Sequence, residues 1–291
     1  VVLTFHGIRE PGGDSAVERN LTPLSVFRDQ VEFLRRLPVV DPDDAVLDPQ
    51  RCGVLITFDD GYRNTLLAAE VLAEAGLPWM LAVPTGVIGT ERSIWTVELS
   101  LLLLGGRADH IDLLGHTWDL GSDDARRAAF DAIRRRMKEV PASERRALSA
   151  AVEAQFPDHQ LAELLDAQPG LRMLDWGQLD DLARHGVRIG SHGSLHEILH
   201  EQQETAVVAE EVVGSRDEIA RRLGRAPSHL VYPDGRTSPA AVAAVEAAGY
   251  RLGFTTEPAT ALPGSDAWVL PRWELPSSAA RAGRLLAREL R

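Results

Sequence analysis

Leu55-Ile56-Thr57-Phe58-Asp59-Asp60-Gly61 holds four apolar or β-branched residues, then two carboxylates, then a glycine. The run predicts a buried strand, and Gly61 predicts the turn that ends it. Adjacent acids at a strand end repel each other and resist desolvation. A chain that keeps them side by side there most often uses them, as a metal ligand beside a base.

Working outward, strand-like and helix-like segments alternate. Strands are predicted at Val1–Phe5, Val54–Phe58, Trp79–Val83, Val187–Ile189, His229–Tyr232 and Tyr250–Phe254. Between them, Phe27, Val31 and Leu34 recur at helical spacing, as do Leu67, Val71 and Ala75, with Gly76 as a C-terminal stop. Trp176, Leu179 and Leu182 mark a helix closed by Gly186, and Val208, Val212, Ile219 and Leu223 share one helical face. Ser238-Pro239 is an N-cap followed by proline at the first helical position. Repeated β-α units predict an α/β fold with a mainly parallel sheet, open or closed into a barrel, with chemistry at the C-terminal strand ends. Residues from about 93 to 171 carry helical patterns and charge but little strand signal. They read as a helical insertion within a single domain spanning 1–291. No internal repeat stands out.

Composition narrows the partners. The net charge of −12 excludes a mainly nucleic-acid-binding role, which needs a basic surface. The local run of Arg127, Arg134, Arg135 and Arg136 lies among Asp123, Asp124, Asp131 and Glu139, as a solvated helix face does. The single cysteine, Cys52, reads as a small structural residue, so any metal is held by His, Asp and Glu. No apolar run is long enough to span a membrane, and Leu99 to Leu104 is broken by Ser100. No signal peptide is visible, which favours a cytoplasmic location, although the chain opens directly in strand-like residues as a trimmed secreted protein would. Asn20-Leu21-Thr22 matches a glycosylation sequon, a pattern too short to carry weight.

The second chemical stretch is Val187-Arg188-Ile189-Gly190-Ser191-His192-Gly193-Ser194-Leu195-His196. A strand runs into a loop with two histidines four apart. Two imidazoles and one carboxylate leave coordination positions open for water and substrate, as a catalytic metal needs. His200 is a competing ligand, read as a capping or surface residue. His110, His116, His159, His185 and His229 lack a partner motif and are read as structural. His6 ends the first strand, at the same end of the sheet as Asp59 and His192. It reads equally as a buried structural histidine or as a general acid.

Taken together, Thr57-Phe58-Asp59-Asp60-Gly61-Tyr62 and Ser191-His192-x-x-x-His196-x-x-Leu199 resemble the polysaccharide deacetylase family, the NodB-homology or carbohydrate esterase family 4 group. The resemblance continues through Leu230-Val231-Tyr232-Pro233-Asp234-Gly235, Ala247-Ala248-Gly249-Tyr250, Phe254-Thr255-Thr256 and Leu270-Pro271-Arg272-Trp273. Phe5-His6-Gly7 is similar to the branch with a histidine on the first strand, as in poly-N-acetylglucosamine deacetylases. Coverage is about residues 1–90 and 173–275. The resemblance implies an irregular (β/α)7 barrel with a helical insertion. It implies a divalent metal, zinc first, on Asp60, His192 and His196, with Asp59 as general base. It also implies an oxyanion contact from the backbone N–H of Asp234, His6 as the acid for the leaving amine, Arg272 as the residue that fixes Asp59, and Tyr62, Pro233 and Trp273 on the substrate side. Three departures stand out. There is no late Leu-His motif, so the acid role falls to His6. Asp234 stands where a tyrosine is usual, which puts a carboxylate near the groove that would favour an aminosugar or cationic substrate. Gly193 replaces a more usual Thr or Ser, with no expected effect on ligation.

The function expected is metal-dependent removal of an acetyl group from an N-acetylated sugar or polysaccharide. Alternatives are O-deacetylation, action on a small acetylated metabolite, or a non-catalytic glycan-binding domain of the same fold. A two-histidine, one-carboxylate iron oxygenase shares the ligand types but belongs on a β-sandwich, against the β-α alternation.

Overall fold

The computed structural model describes residues 1–10, 17, 20–47 and 53–290, so Cys52 lies outside the described residues. Seven short runs of apolar and β-branched residues form strands: β1 (Val2–Phe5), β2 (Leu55–Phe58), β3 (Met80–Val83), β4 (Arg188–Ser191), β5 (His229–Val231), β6 (Leu252–Phe254) and β7 (Trp273–Glu274). They lie in the order β6-β5-β4-β3-β2-β1-β7, and every pairing is parallel. The sheet curls until one segment reaches both its edges. Leu270 bridges Phe254 of β6, and Trp273 pairs with Leu3 of β1. The seventh strand is therefore broken, and Arg272 sits in the break. This is the irregular (β/α)7 barrel that the family resemblance implies.

Side chains alternate across each strand, and the two faces pack separately. Val2, Leu55, Met80, Ala82, Val231, Leu252, Phe254 and Leu270 meet in the barrel interior. Their neighbours Leu3, Phe5, Ile56, Phe58, Leu81 and Val83 join the larger core beneath the helices. Helix Leu24–Leu34 packs Phe27 edge-on against Phe5 and Phe58, with centroids 5.3 and 5.6 Å away. Each such buried side chain contributes about 1.5–3 kcal/mol. The terminal signals hold where they were read. Gly76 closes Thr65–Ala75 at φ 66°, and Ser238 Oγ accepts from the Ala241 N–H at the start of Pro239–Ala247.

Between β3 and β4 lie the helices Trp95–Ser100, Asp123–Met137, Ala142–Glu153 and Gln160–Ala167. Their apolar side chains share the core that covers the outer face of the barrel. The insertion is mainly helical, as expected, and holds one hairpin besides. His110–Leu113 pairs antiparallel with His116–Asp119 through a turn at Leu114 (φ 58°) and Gly115 (φ 73°). Leucine seldom takes a positive φ, so Leu114 masks the turn signal that Gly115 gives. Among the described residues no helix is long and apolar enough to cross a membrane.

Candidate active site at the open end of the barrel

The strand alternation that fills the barrel interior continues past the strand ends. Thr57 and Asp59 follow Leu55 on the inward face of β2, and Arg272 follows Leu270 on the inward side of the broken strand. Arg272 consequently reaches across β1 to β2. Its Nη1 and Nη2 donate to Asp59 Oδ1 and Oδ2 at 2.8 and 2.7 Å, its Nη1 also to Thr57 Oγ1 at 2.9 Å, and its Nε to the Thr255 carbonyl at 2.8 Å. Both charges are buried, with side chains 0% and 2% exposed. Burial alone would raise the Asp59 carboxyl, but the guanidinium charge and hydrogen bonds outweigh it and hold Asp59 below its ordinary value.

Asp60 leaves the strand by a sharp turn. Asp60 and Gly61 take φ of 70° and 76°, and a Cβ at Gly61 would lie 2.9 Å from Val83 Cγ1. A non-glycine residue at positive φ is strained, and strain of this kind concentrates at functional sites. The turn aims Asp60 Oδ1 at His192 Nε2, 3.3 Å away, and at His196 Nε2, 3.4 Å away. One donor atom from each of the three residues lies within 4.8 Å of the others, and all three residues are buried. Asp60 Oδ1 has no hydrogen-bond partner. An orphaned carboxylate oxygen facing two imidazole nitrogens fits a divalent cation, and the donor set suits zinc. Burial opposes the Asp60 charge, yet the two histidines hold its carboxyl well below the carboxylate range.

His192 continues β4. Its N–H donates to the Val83 carbonyl at 2.9 Å, and its Nδ1–H donates to the Val231 carbonyl at 2.8 Å. That second bond fixes the tautomer and leaves Nε2 free as a ligand. His196 has a buried Nδ1 without a partner, a φ of 57°, and a carbonyl that accepts from Trp95 Nε1 at 3.1 Å. Burial lowers its pKa against the pull of Asp60.

A family model described as polysaccharide deacetylase matches residues 48–253. The chain belongs to the polysaccharide deacetylase family. Solved structures share its fold. The deacetylase PplD of Streptococcus pyogenes, solved with acetate, is 15% identical at a TM-score of 0.63, covering 100% of this chain and 97% of that one. IcaB of Ammonifex degensii is 19% identical at 0.61, covering 97% and 96%. A de-N-acetylase of Aggregatibacter actinomycetemcomitans is 13% identical at 0.55, covering 95% of each chain. No curated protein matches the chain.

The other candidate residues of this family member fall into place unevenly. His6 follows Phe5, whose carbonyl accepts from the Asp59 N–H at 2.8 Å, so it stands beside the acid pair, half-buried. Its charge is among those that lower both carboxylates. Tyr62 is buried, and burial followed by the nearby Asp60 charge pushes its phenol well up. Pro233 is buried and opens the turn in which Asp234 takes φ 58°. The Asp234 carboxylate is not an open acidic contact, which corrects the expectation of a cation-favouring group. It pairs with Lys138 Nζ, from the residue that ends helix Asp123–Met137. Trp273 is not brought to the cluster. One step along the strand from Arg272, it faces away, donating from Nε1 to Thr260 Oγ1 at 3.2 Å beneath the Arg288 guanidinium. His200 is structural, as read, but not on the surface: it is buried with Nε2 against the Val140 carbonyl at 3.1 Å. Gly193 is no neutral replacement. It sits at φ 80°, and a Cβ there would lie 2.2 Å from Glu211 Oε2. The motif reading missed Glu211 itself, a fully buried carboxylate whose only sequence signal is its place on the apolar face beside Val208 and Val212.

Proposed function

We propose that the protein is a metal-dependent hydrolase that removes acetyl groups from an N-acetylated polysaccharide. The observation that carries this reading is the buried Asp60 Oδ1, orphaned and facing two imidazole nitrogens, with an ionised Asp59 clamped beside it. Asp60, His192 and His196 would hold the cation, zinc by its preference for such donors. When bound, a divalent cation supplies Lewis acidity, lowering the pKa of water and polarising an acetyl carbonyl.

The chain's own residues do the rest. Arg272 fixes both Asp59 oxygens and keeps the carboxylate ionised, while Oδ1, with Arg272 as its one partner, retains a lone pair for the proton of the attacking water. The backbone N–H of Asp234 donates to the developing oxyanion. His6, beside Asp59, delivers a proton to the leaving nitrogen. An amine leaves poorly without that proton, so an acid beside the base favours the N-acetyl over the O-acetyl reading. The fold relative named a de-N-acetylase supports the same choice. Tyr62 and Pro233 wall the acetyl side.

The test is to load the protein with Zn²⁺ and assay N-acetylglucosamine oligomers for acetate and free amine together. We expect one equivalent of zinc, with acetate and amine released one to one. Acetate released only from O-acetylated sugars would overturn the N-deacetylase reading. Glycan binding with neither product would make the domain a binding module.

A further inference from the structure

The two histidines of the proposed metal site are supported unequally. His192 is fixed through its ring and its backbone. The His196 ring has no partner at Nδ1, so its aim depends on where the loop places its backbone. That loop wraps around one side chain. Glu211 Oε2 accepts from the N–H groups of Ser194 and Glu197 at 3.0 and 3.2 Å, and Oε1 accepts from Leu195 at 2.8 Å. The carboxylate is 0% exposed and fills the concavity of the loop. Gly193 leaves room for it, and the amides on either side of His196 both point at it. Converging backbone N–H groups of this kind form a nest for acceptor oxygens, here those of the chain's own side chain, whose carboxyl burial pushes up to about 7 against their pull.

The helix that carries Glu211 is shaped to deliver it. Thr205–Ala209 and Ser215–Leu223 are joined by a π-turn over Glu210–Gly214. A π-turn frees main-chain carbonyls, and side chains take them up: Ser215 Oγ donates to the Glu211 carbonyl at 2.5 Å and Tyr250 Oη to the Val212 carbonyl at 3.0 Å. Ser215 Oγ also meets Ser191 Oγ at 2.7 Å, at the end of the strand that leads into His192. The π-turn is thus tied to the root of the same loop whose far end its glutamate holds.

We propose that Glu211 is the positioning residue for His196. Its carboxylate sets the backbone of residues 194–197 so that His196 Nε2 faces Asp60. The inference rests on the metal-site reading of Asp60, His192 and His196.

The experiment measures Zn²⁺ affinity by chelator competition on the folded, metal-stripped protein. Glu211→Gln keeps the shape but turns an N–H₂ toward an amide, and should bind zinc about 10- to 100-fold more weakly. Glu211→Asp, one methylene short, should lose less, and Asp217→Asn, exposed on the following helix Ser215–Leu223, should match wild type. The cycle with the ligands isolates the route. In a His192→Ala background Glu211→Gln should still cost its full factor, whereas in a His196→Ala background it should cost nothing more. The visible spectrum of the Co²⁺-loaded protein should change in Glu211→Gln and not in Asp217→Asn. Wild-type zinc affinity in Glu211→Gln, or an equal loss in both backgrounds, would overturn the inference while leaving the metal site standing. Absence of stoichiometric zinc in the wild type would overturn the metal reading itself. If Glu211→Gln does not fold, the same cycle run with Glu211→Asp decides.

Discussion

One half of the site is built by strands and the other by a loop. Asp59, Arg272 and His192 take their places from strand alternation and the broken closure of the barrel, so the sheet that folds the domain also aims them. His196 and Asp234 are set by contacts remote in sequence. Glu211 holds the loop from one side. From the insertion, Trp95 reaches the His196 carbonyl, Arg145 grips buried Glu197 at 2.7 and 2.5 Å, and Lys138 takes Asp234. The difference teaches which half the strands alone specify. The strand-built half follows from local alternation, while the loop-built half also depends on Glu211 and on residues between β3 and β4.

The largest expected effect falls on the strand-built half. Asp59→Asn should lower turnover by about 10²- to 10⁴-fold, the usual worth of a general base. It should keep its zinc, because Asp59 is outside the donor cluster. Steady-state rates with metal content measured on the same sample check both parts, and near wild-type turnover would remove Asp59 from the base role. Arg272→Met comes next. It leaves a buried carboxylate without its cation, and should cost about 3–5 kcal/mol by denaturant unfolding. The sign of the pH effect follows from the same pair. Arg272 holds the Asp59 pKa down, so activity and the pair's stability persist above the unfolded carboxylate pKa and are lost only as pH falls through the lower, folded value. Without Arg272, burial is opposed only by the weaker pull of His192 and His6, and the acid limb of the pH–rate profile should move to higher pH. A limb that stays in place would mean that another group sets it.

On the loop-built half the effects should be smaller and read mainly in metal affinity. Gly193→Ala places a side chain at φ 80°, which costs about 1–2 kcal/mol, and pushes against Glu211 Oε2. Zinc affinity should fall with stability, whereas Gly76→Ala, at a similar φ of 66° with nothing within 4 Å of the added carbon, should lose stability alone. If both variants lose zinc equally, Gly193 has no special link to the site.

The same division governs what could be read from the sequence. Strands carry a local period of two, so Thr57-Phe58-Asp59 and Arg188-Ile189-Gly190-Ser191-His192 announce which residues reach the strand ends, and the β-α alternation gives the barrel. The contacts that span the molecule leave no local trace. Asp234 is 96 residues from the Lys138 that neutralises it, and its left-handed backbone resembles any turn. Glu211 is one acid in a charged helix, marked in the sequence only by its place beside Val208 and Val212, and the π-turn that delivers it follows no spacing rule. Trp273 adjoins Arg272 in sequence, so a shared motif suggested a shared site, while strand alternation sends the two side chains in opposite directions. The Leu114-Gly115 hairpin hid behind a residue that turns seldom use.

The smallest effect tests whether the insertion belongs to the site or merely adjoins it. Trp95 is buried, its Nε1 donates to the His196 carbonyl at 3.1 Å, and the Arg145 guanidinium lies 5.2 Å over its ring. Trp95→Phe keeps a ring for Arg145 but deletes the donor, leaving the His196 carbonyl unpaired. A lost buried hydrogen bond costs about 0.5–1.5 kcal/mol, and we expect that loss in stability with zinc bound. Part of it should vanish without zinc, since a carbonyl that orients a ligand matters most when the ligand is engaged. Unfolding with and without Zn²⁺ measures the difference directly. An equal cost in both states would make Trp95 a packing residue and leave the insertion's part in the site to Arg145 and Lys138.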